Sequence, residues 1–315
     1  LTTRREIDIL CIGEALVDFI GHQDGVLINN TRDYHRYLGG SPTNVAMNTA
    51  RLGLQATLVA TIGNDGLGSY ILERLKEMNI HDAYIKQTAE SPTSVIFVSR
   101  SKDTPDFIPY RSADFLITED QLPSALLQQA KIFHTTCFAL SKNPAQATII
   151  EKAKEAFALG CKLSIDINYS EKIWKDKENA LQIIKKYCSY NPLVKISEDD
   201  IARLFGVETS HEEVFTFFHE LGVEIVCLTL GKAGVKLSQK NDKMIVMPAI
   251  KINKVMDATG AGDAFWSGFL FAYLKEHSIE DCLNIALHLA ALKLQNVGRL
   301  PNNINIVSEL LKKKD

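Results

Sequence analysis

The sequence predicts an α/β protein: a three-layer α/β/α sandwich around one doubly wound, mostly parallel sheet, with a small β-sheet inserted as a lid. Three observations carry this expectation. About eight to ten short apolar-rich runs are separated by helix-length segments, the alternation that builds a parallel sheet. The first of them, residues 7–12, is short and lacks strict apolar–polar alternation, as a strand buried on both faces does. Residues 21–38 and 93–112 contain β-like pieces that read as hairpins outside that sheet. The expected core is then residues 1–20, 39–92 and 113–315, with the lid at 21–38 and 93–112.

Size and composition bound the rest. With 315 residues, the chain is one large domain or one domain with an appendage. Hydrophobic residues make up 46% and charged residues 23%, and the net charge of −3 gives no electrostatic case for nucleic acid or an anionic membrane. The six cysteines are scattered with no CxxC pair, which favours buried reduced thiols over disulfides or a zinc site. The first apolar stretch contains Asp8, Glu14 and Asp18, so neither a signal peptide nor a membrane span fits and a cytoplasmic protein is expected.

In chain order, residues 7–12 form a strand that ends at Gly13. Asp18 follows, placed just beyond a strand's C-terminal end, where open α/β sheets bind ligands; a solvated loop acid is the other reading. Gly39 and Gly40 lead into a helix with Ser41 as cap and Pro42 at its first position. Gly39, Gly40 and Asn44 offer the backbone and amide hydrogen bonds that orient sugar hydroxyls, or serve only as a glycine-rich helix entry. Residues 56–62 form a strand, followed by a helix to residue 78. Residues 95–99 and 106–110 pair in the lid and end at Arg111, which is either a ligand clamp or an exposed cation.

The α/β alternation then resumes. Strands are expected at 131–135, 162–167, 193–196 and 223–230, with helices at 144–159, 176–187 and 211–221. Ser197 caps a short helix with Asp200 closing a capping box; clustered acids at a strand end also suit Mg²⁺ through bound water. Residues 235–237 and 244–248 make a β-pair, and 281–294 a helix. Residues 312–314 read as a solvated tail.

The stretch most able to do chemistry is Asp257-Ala258-Thr259-Gly260-Ala261-Gly262-Asp263-Ala264-Phe265. Glycines bend the chain sharply into an apolar helix. The first N–H groups of that helix lack internal partners, and its dipole is positive there, so the turn can hold a negative charge. Asp263 lies in the same first turn. An anion cradle beside a carboxylate points to phosphoryl transfer; a helix start with an acid in its favoured place is the plainer alternative. No GxxxxGK[ST] or GxGxxG follows a strand, which excludes P-loop and dinucleotide-binding enzymes.

The order of these motifs resembles the ribokinase-like, or phosphofructokinase-B, carbohydrate kinases over roughly residues 7 to 300. The two most specific pieces are Gly39-Gly40-Ser41-Pro42-Thr43-Asn44-Val45-Ala46 and the 257–265 stretch. Residues 228–235 resemble the family's nucleotide segment. Residues 13–19, Pro109-Tyr110-Arg111 and Ile165-Asp166-Ile167-Asn168 with Trp174 are most similar to fructokinases.

The resemblance implies roles. Asp263 is the base that receives the sugar proton, and the amides of Gly260, Ala261 and Gly262 form the anion hole. Asp18, Gly39, Gly40, Asn44 and Arg111 belong to the sugar side. Thr229, Gly231, Gly234 and Asn296 line the nucleotide side. Asn168 and Asp200 lie near Mg²⁺ and the phosphates of ATP, with Asp200 acting on the metal through water. A helix N-terminus lowers the pKa of Asp263. A weak base is nevertheless sufficient when a loose transition state gives up the alcohol proton late.

Three departures qualify this picture. Asp200 stands where the family often has a glutamate in Asn-x-x-Glu. Ser170 stands where fructokinases often carry arginine. Lys293, Arg299 and Asn302 occupy the region where relatives bind a monovalent cation, which puts K⁺ dependence in doubt. The expected function is ATP-dependent phosphorylation of a primary hydroxyl of a small sugar, D-fructose foremost. The alternatives are a 2-keto-3-deoxygluconate kinase and a silent sugar-binding or regulatory protein on the same fold. A lid with an exposed apolar face raises the prospect of a homodimer.

Overall fold

Alternate residues of the first strand feed two different cores, and this sets the layer order. Leu10 and Ile12 join the core on one face of the main sheet, Ile9 and Cys11 the core on the other, because successive strand side chains point to opposite faces. The computed structural model describes residues 5–100, 106–301 and 304. Asn302 and the 312–314 tail lie outside the described residues.

In chain order the elements are β1 (Ile7–Ile12), β2 (Leu16–Asp24), β3 (Tyr34–Gly39), α1 (Ser41–Arg51), β4 (Ala56–Gly63), α2 (Gly66–Glu77), β5 (Ile85–Thr88), β6 (Val95–Arg100), β7 (Phe107–Tyr110), α3 (Ser124–Gln129), β8 (Ala130–Thr136), α4 (Ala145–Ala158), β9 (Lys162–Asp166), α5 (Lys177–Cys188), β10 (Leu193–Ser197), α6 (Glu198–Leu204), α7 (His211–Glu220), β11 (Ile225–Thr229), β12 (Val235–Gln239), β13 (Ile245–Met247), α8 (Ala261–Leu274) and α9 (Ile279–Leu294). The main sheet has the order β13-β12-β11-β10-β9-β8-β1-β4-β5. From β11 to β5 every pairing is parallel, and β12 and β13 add an antiparallel edge. Residues of α1, α2, α8 and α9 pack on one face and residues of α3 to α7 on the other. This is the three-layer, doubly wound arrangement expected from the sequence.

The second sheet has the order β3-β2-β6-β7. Its register puts Asp18 opposite Tyr37 and Phe19 opposite Phe97. One face therefore carries Asp18, Tyr37 and Arg100. The other carries Phe19, Phe97, Ile108 and Tyr110. The first of these faces meets the core: Arg100 donates from Nε to the Met256 carbonyl at 3.4 Å.

Several expectations are corrected. Asp18 lies inside β2, in the lid, and not in a loop beyond a core strand; the lid sheet begins at Leu16. The sequence reading missed β5, a half-exposed edge strand of sequence IKQT whose polar residues carry no buried-strand signal. It also missed the single-turn-scale helix α3. Ser41 does not cap α1: Gly40 holds the cap position with no side-chain cap bond, and the Ser41 hydroxyl is used elsewhere. All six cysteines are free and buried, as composition indicated. Among the described residues no helix is long and apolar enough to cross a membrane.

Candidate active site

Helix α8 is buried along Ala264–Ala272, which anchors its half-buried N-terminus. Gly260 caps it at φ 74°, in the left-handed region that favours glycine. Asp263 follows in the first turn. Its Oδ1 accepts a hydrogen bond from the Ser41 hydroxyl at 2.6 Å and its Oδ2 one from the Asn44 amide at 2.8 Å. Helices α1 and α8 thus meet end to end through this carboxylate. Burial and the nearby Asp166 carboxylate raise its pKa, against the hydrogen bonds and Lys195, which lower it; the net direction is up. The helix terminus alone led to the opposite expectation, and desolvation reverses it.

The lid supplies a second carboxylate. Burial first, then Asp263 and Asp257, push Asp18 up to about 7. Gly39 packs directly against its carboxylate, so a side chain there would displace Asp18. Below this pair, buried Glu14 accepts the Ser41 N–H at 3.0 Å and the Thr136 hydroxyl at 3.3 Å. Burial pushes it up to about 8. Glu14 fixes the Gly39–Gly40 turn and was not singled out from the sequence.

Two buried ion pairs support the α8 turn, and neither pairing was anticipated. Lys195 of β10 is bonded through Nζ to both oxygens of Asp166 on β9, at 2.9 and 2.8 Å. A lysine within the otherwise apolar run Leu193–Ile196 was the available signal. Lys293 of α9 donates to the Asn296 carbonyl at 3.0 Å and lies 3.3 Å from Asp257 Oδ2. Asp257 in turn accepts the N–H groups of Thr259 at 2.9 Å and Gly298 at 3.1 Å. The loop entering α8 is therefore clamped to the end of α9.

Other expected residues are placed differently. Arg111 is neither exposed nor a free clamp. Its Nε and Nη2 reach Asp114 Oδ2 at 2.9 and 2.6 Å, Nη1 bonds Ser141, and the guanidinium lies 4.1 Å from the Phe138 ring. Asn168 accepts the Phe138 N–H at 3.2 Å. Ala261 donates its N–H to the Ala258 carbonyl at 3.2 Å, so its share in an anion hole requires that bond to open. Asp200 accepts both the N–H and the hydroxyl of Ser197 on one oxygen, at 2.9 and 2.5 Å, which is the capping box. Among the described residues no three His, Cys, Asp or Glu side chains are grouped to hold a metal.

Of the residues expected on the nucleotide side, Thr229, Gly231 and Gly234 lie at the C-terminal edge of the main sheet. Ser197 and Thr229 are paired in the β10–β11 register, with Gly231 and Gly234 in the turn that follows. Asn296 is tied back to α9 through the Leu292 carbonyl at 2.8 Å. Beside it a hollow of about 190 Å³ is lined by Ile250, Ile252, Asn253, Ala291, Leu292 and Gln295. A larger hollow of about 450 Å³ is lined by Val95, Phe97, Tyr110 and Arg111 at the lid.

Comparison with known proteins agrees with this geometry. The pfkB family carbohydrate kinase profile matches residues 6–304. An ATP-dependent 6-phosphofructokinase of Thermoanaerobacterium thermosaccharolyticum is 36% identical over 299 residues, covering 94% of this chain and 90% of that protein. The structure of Halothermothrix orenii fructokinase superposes with a TM-score of 0.79 at 35% identity, over 90% of this chain and 98% of that one. A Pyrococcus horikoshii sugar kinase solved in complex with ATP gives 0.82 at 27% identity, over 96% and 97%.

Proposed function

Since the chain belongs to the pfkB family of carbohydrate kinases, we propose that it transfers the γ-phosphoryl group of ATP to a primary hydroxyl of D-fructose, giving fructose 6-phosphate. The observation that carries this is the Asp263 carboxylate, held by Ser41 and Asn44 at a glycine-capped helix N-terminus and electrostatically coupled to Asp18 of the lid. Asp18, Gly39, Gly40 and Asn44 orient the sugar. Asp263 accepts the hydroxyl proton as the sugar oxygen forms its bond to phosphorus and the bond to the ADP oxygen breaks. The N–H groups of Gly260 and Gly262 hold the charge on the moving phosphoryl group. Thr229, Gly231, Gly234 and Asn296 face the nucleotide. The lid excludes water and limits wasteful hydrolysis.

Mg²⁺ takes mostly water and phosphate oxygens with one or two carboxylates. Asp200 fits that pattern through a water, since both of its Ser197 bonds fall on one oxygen. The metal would neutralise phosphate charge, and no larger carboxylate cluster is needed. Arg111, locked to Asp114, shapes the wall next to the sugar and does not grip it.

Two finer points belong to the same proposal. The lid's outer face carries Phe19, Phe97 and Tyr110, with Tyr110 60% and Ile108 40% exposed; a second copy of the chain covers it, giving a homodimer. A monomeric mass in light scattering at micromolar concentration would count against this. Six buried free thiols suit the reducing cytoplasm.

A second reading, with fructose 6-phosphate as acceptor, is favoured by the name of the 36% identical relative. ADP release measured with fructose, fructose 6-phosphate, 2-keto-3-deoxygluconate and nucleosides separates the readings. Turnover is expected with fructose. Turnover with a keto-acid or sugar phosphate but not fructose overturns the substrate, and sugar binding without ADP release supports a silent protein.

A further inference from the structure

Arginines gather where the lid meets the core. Arg36 of β3 and Arg74 of α2 both lie over the ring of Tyr70, at 4.2 and 5.7 Å from its centroid. Arg299 follows Gly298, the glycine against which Tyr37 of β3 packs, and its charge acts on both Tyr70 and Arg51. Arg51 ends α1 and donates to Asn48 at 3.4 Å. Among the described residues, Glu77 offers this group a carboxylate, 2.7 Å from Arg74. The Nε atoms of Arg51 and Arg74 are buried without a hydrogen-bond partner. Burial, then Arg299, lowers the Arg51 pKa to about 10.

Arg36 and Arg299 are exposed, whereas Arg51 is largely desolvated beside the charge of Arg299; a buried guanidinium next to a like charge is unfavourable unless an anion offsets it, and the orphaned buried donors of Arg51 and Arg74 add to the cost. The planar guanidinium fork matches phosphate oxygens. We propose that Arg36, Arg51, Arg74 and Arg299 form a binding site for a phosphate group at the junction of β3 with α1, α2 and the turn after α9. It is separate from the cradle at α8. Ser41, which touches Asp263, and Arg51 are at opposite ends of α1, about 15 Å apart along the axis at 1.5 Å per residue. Arg36 belongs to the lid and the other three to the core, so a phosphate bridging them ties the lid to the core. Strand β3 runs directly into Gly39 and Gly40, so the tie tightens sugar binding.

The phosphate arrives either as a free ion or on a sugar phosphate, and the test has an arm for each. Inorganic phosphate and fructose 6-phosphate are titrated calorimetrically into the full chain, at constant ionic strength, with a non-hydrolysable ATP analogue filling the cradle. Arg74→Gln and Arg299→Gln are compared with the parent, and unchanged melting in chloride shows that each variant is folded. Loss of charge-assisted bonds weakens binding at least ~10-fold in each variant. Weakening with inorganic phosphate supports an effector site; weakening with fructose 6-phosphate alone supports a site for the sugar's own phosphate. Absence of binding to the parent, or equal binding by parent and variants, overturns the proposal. The readout is binding and not turnover, so it stands or falls independently of the reaction proposed above.

Discussion

The ammonium of Lys195 bonds both carboxylate oxygens of Asp166 and sits 3.1 Å from where a Cβ on Gly262 would stand. A fixed positive charge therefore lies directly behind the glycine turn proposed to cradle the phosphate. Burial alone would strip the proton, but Asp166 and Asp200 reverse this and the net pKa is raised. Lys195→Met leaves Asp166 buried and unpaired, at a cost of about 3–5 kcal/mol. Adding Asp166→Leu removes the orphan and restores the melting temperature. The rate stays depressed in the double variant, by roughly 10²-fold for a lost electrostatic group. Recovery of kcat along with stability would falsify the electrostatic role.

Asp263→Asn lowers kcat by at least ~10²-fold with the sugar KM little changed, as removal of a general base does. Ser41→Ala provides a finer check. The Ser41 hydrogen bond lowers the Asp263 pKa, so its removal moves the acid limb of the kcat–pH profile upwards. A limb that stays in place, or moves down, contradicts the assignment of that limb to Asp263.

Sugar affinity should titrate with Asp18. Its carboxyl is pushed up to about 7, and sugar hydroxyls donate to the ionised form. KM is lowest above pH 7 and rises as pH falls through 7, roughly tenfold per unit at the limit. Asp18→Asn flattens the profile. A parent KM that is level from pH 6 to 8 rules this out.

Lys293 is proposed to stand in for an added monovalent ion. Its ammonium is 3% exposed and already links Asp257 to the end of α9. Initial rates are therefore expected to match in potassium and tetramethylammonium buffers. Lys293→Ala opens the clamp and lowers kcat at least ~10-fold, and ammonium or potassium ions partly restore it. Strong potassium activation of the parent enzyme speaks against a resident lysine in this role.

His134 makes the fold sensitive to acid. It is fully buried, and burial pushes its pKa down to about 3. The unfolded state takes up the proton near 6.5, so stability is complete above that pH and is lost as pH falls towards 3. Between pH 7.5 and 5 this amounts to about 2 kcal/mol. Chemical denaturation at both pH values, compared with His134→Gln, measures it; equal pH slopes for the two proteins exclude the mechanism.

The chain itself made much of this readable. Apolar-rich runs at β1, β4, β8, β9, β10 and β11 announce a parallel sheet because strands buried on both faces are mostly apolar. Ser197 and Asp200 announce a cap because the bonds are local. The glycines and Asp263 of the α8 turn were visible for the same reason. Strand β5 was not, since an edge strand half in water needs no apolar signature.

What local sequence left open concerned partners distant along the chain. Ser41 reads as a helix cap, yet its hydroxyl serves Asp263, 222 residues away. Arg111 reads as free until Asp114 and Ser141 close on it. Lys195 and Lys293 are ordinary lysines until burial pairs each with an aspartate. Secondary structure follows from neighbours in sequence, whereas the charge state and reach of a side chain depend on desolvation and on which opposite charge the fold brings beside it. Those are properties of the packed molecule alone.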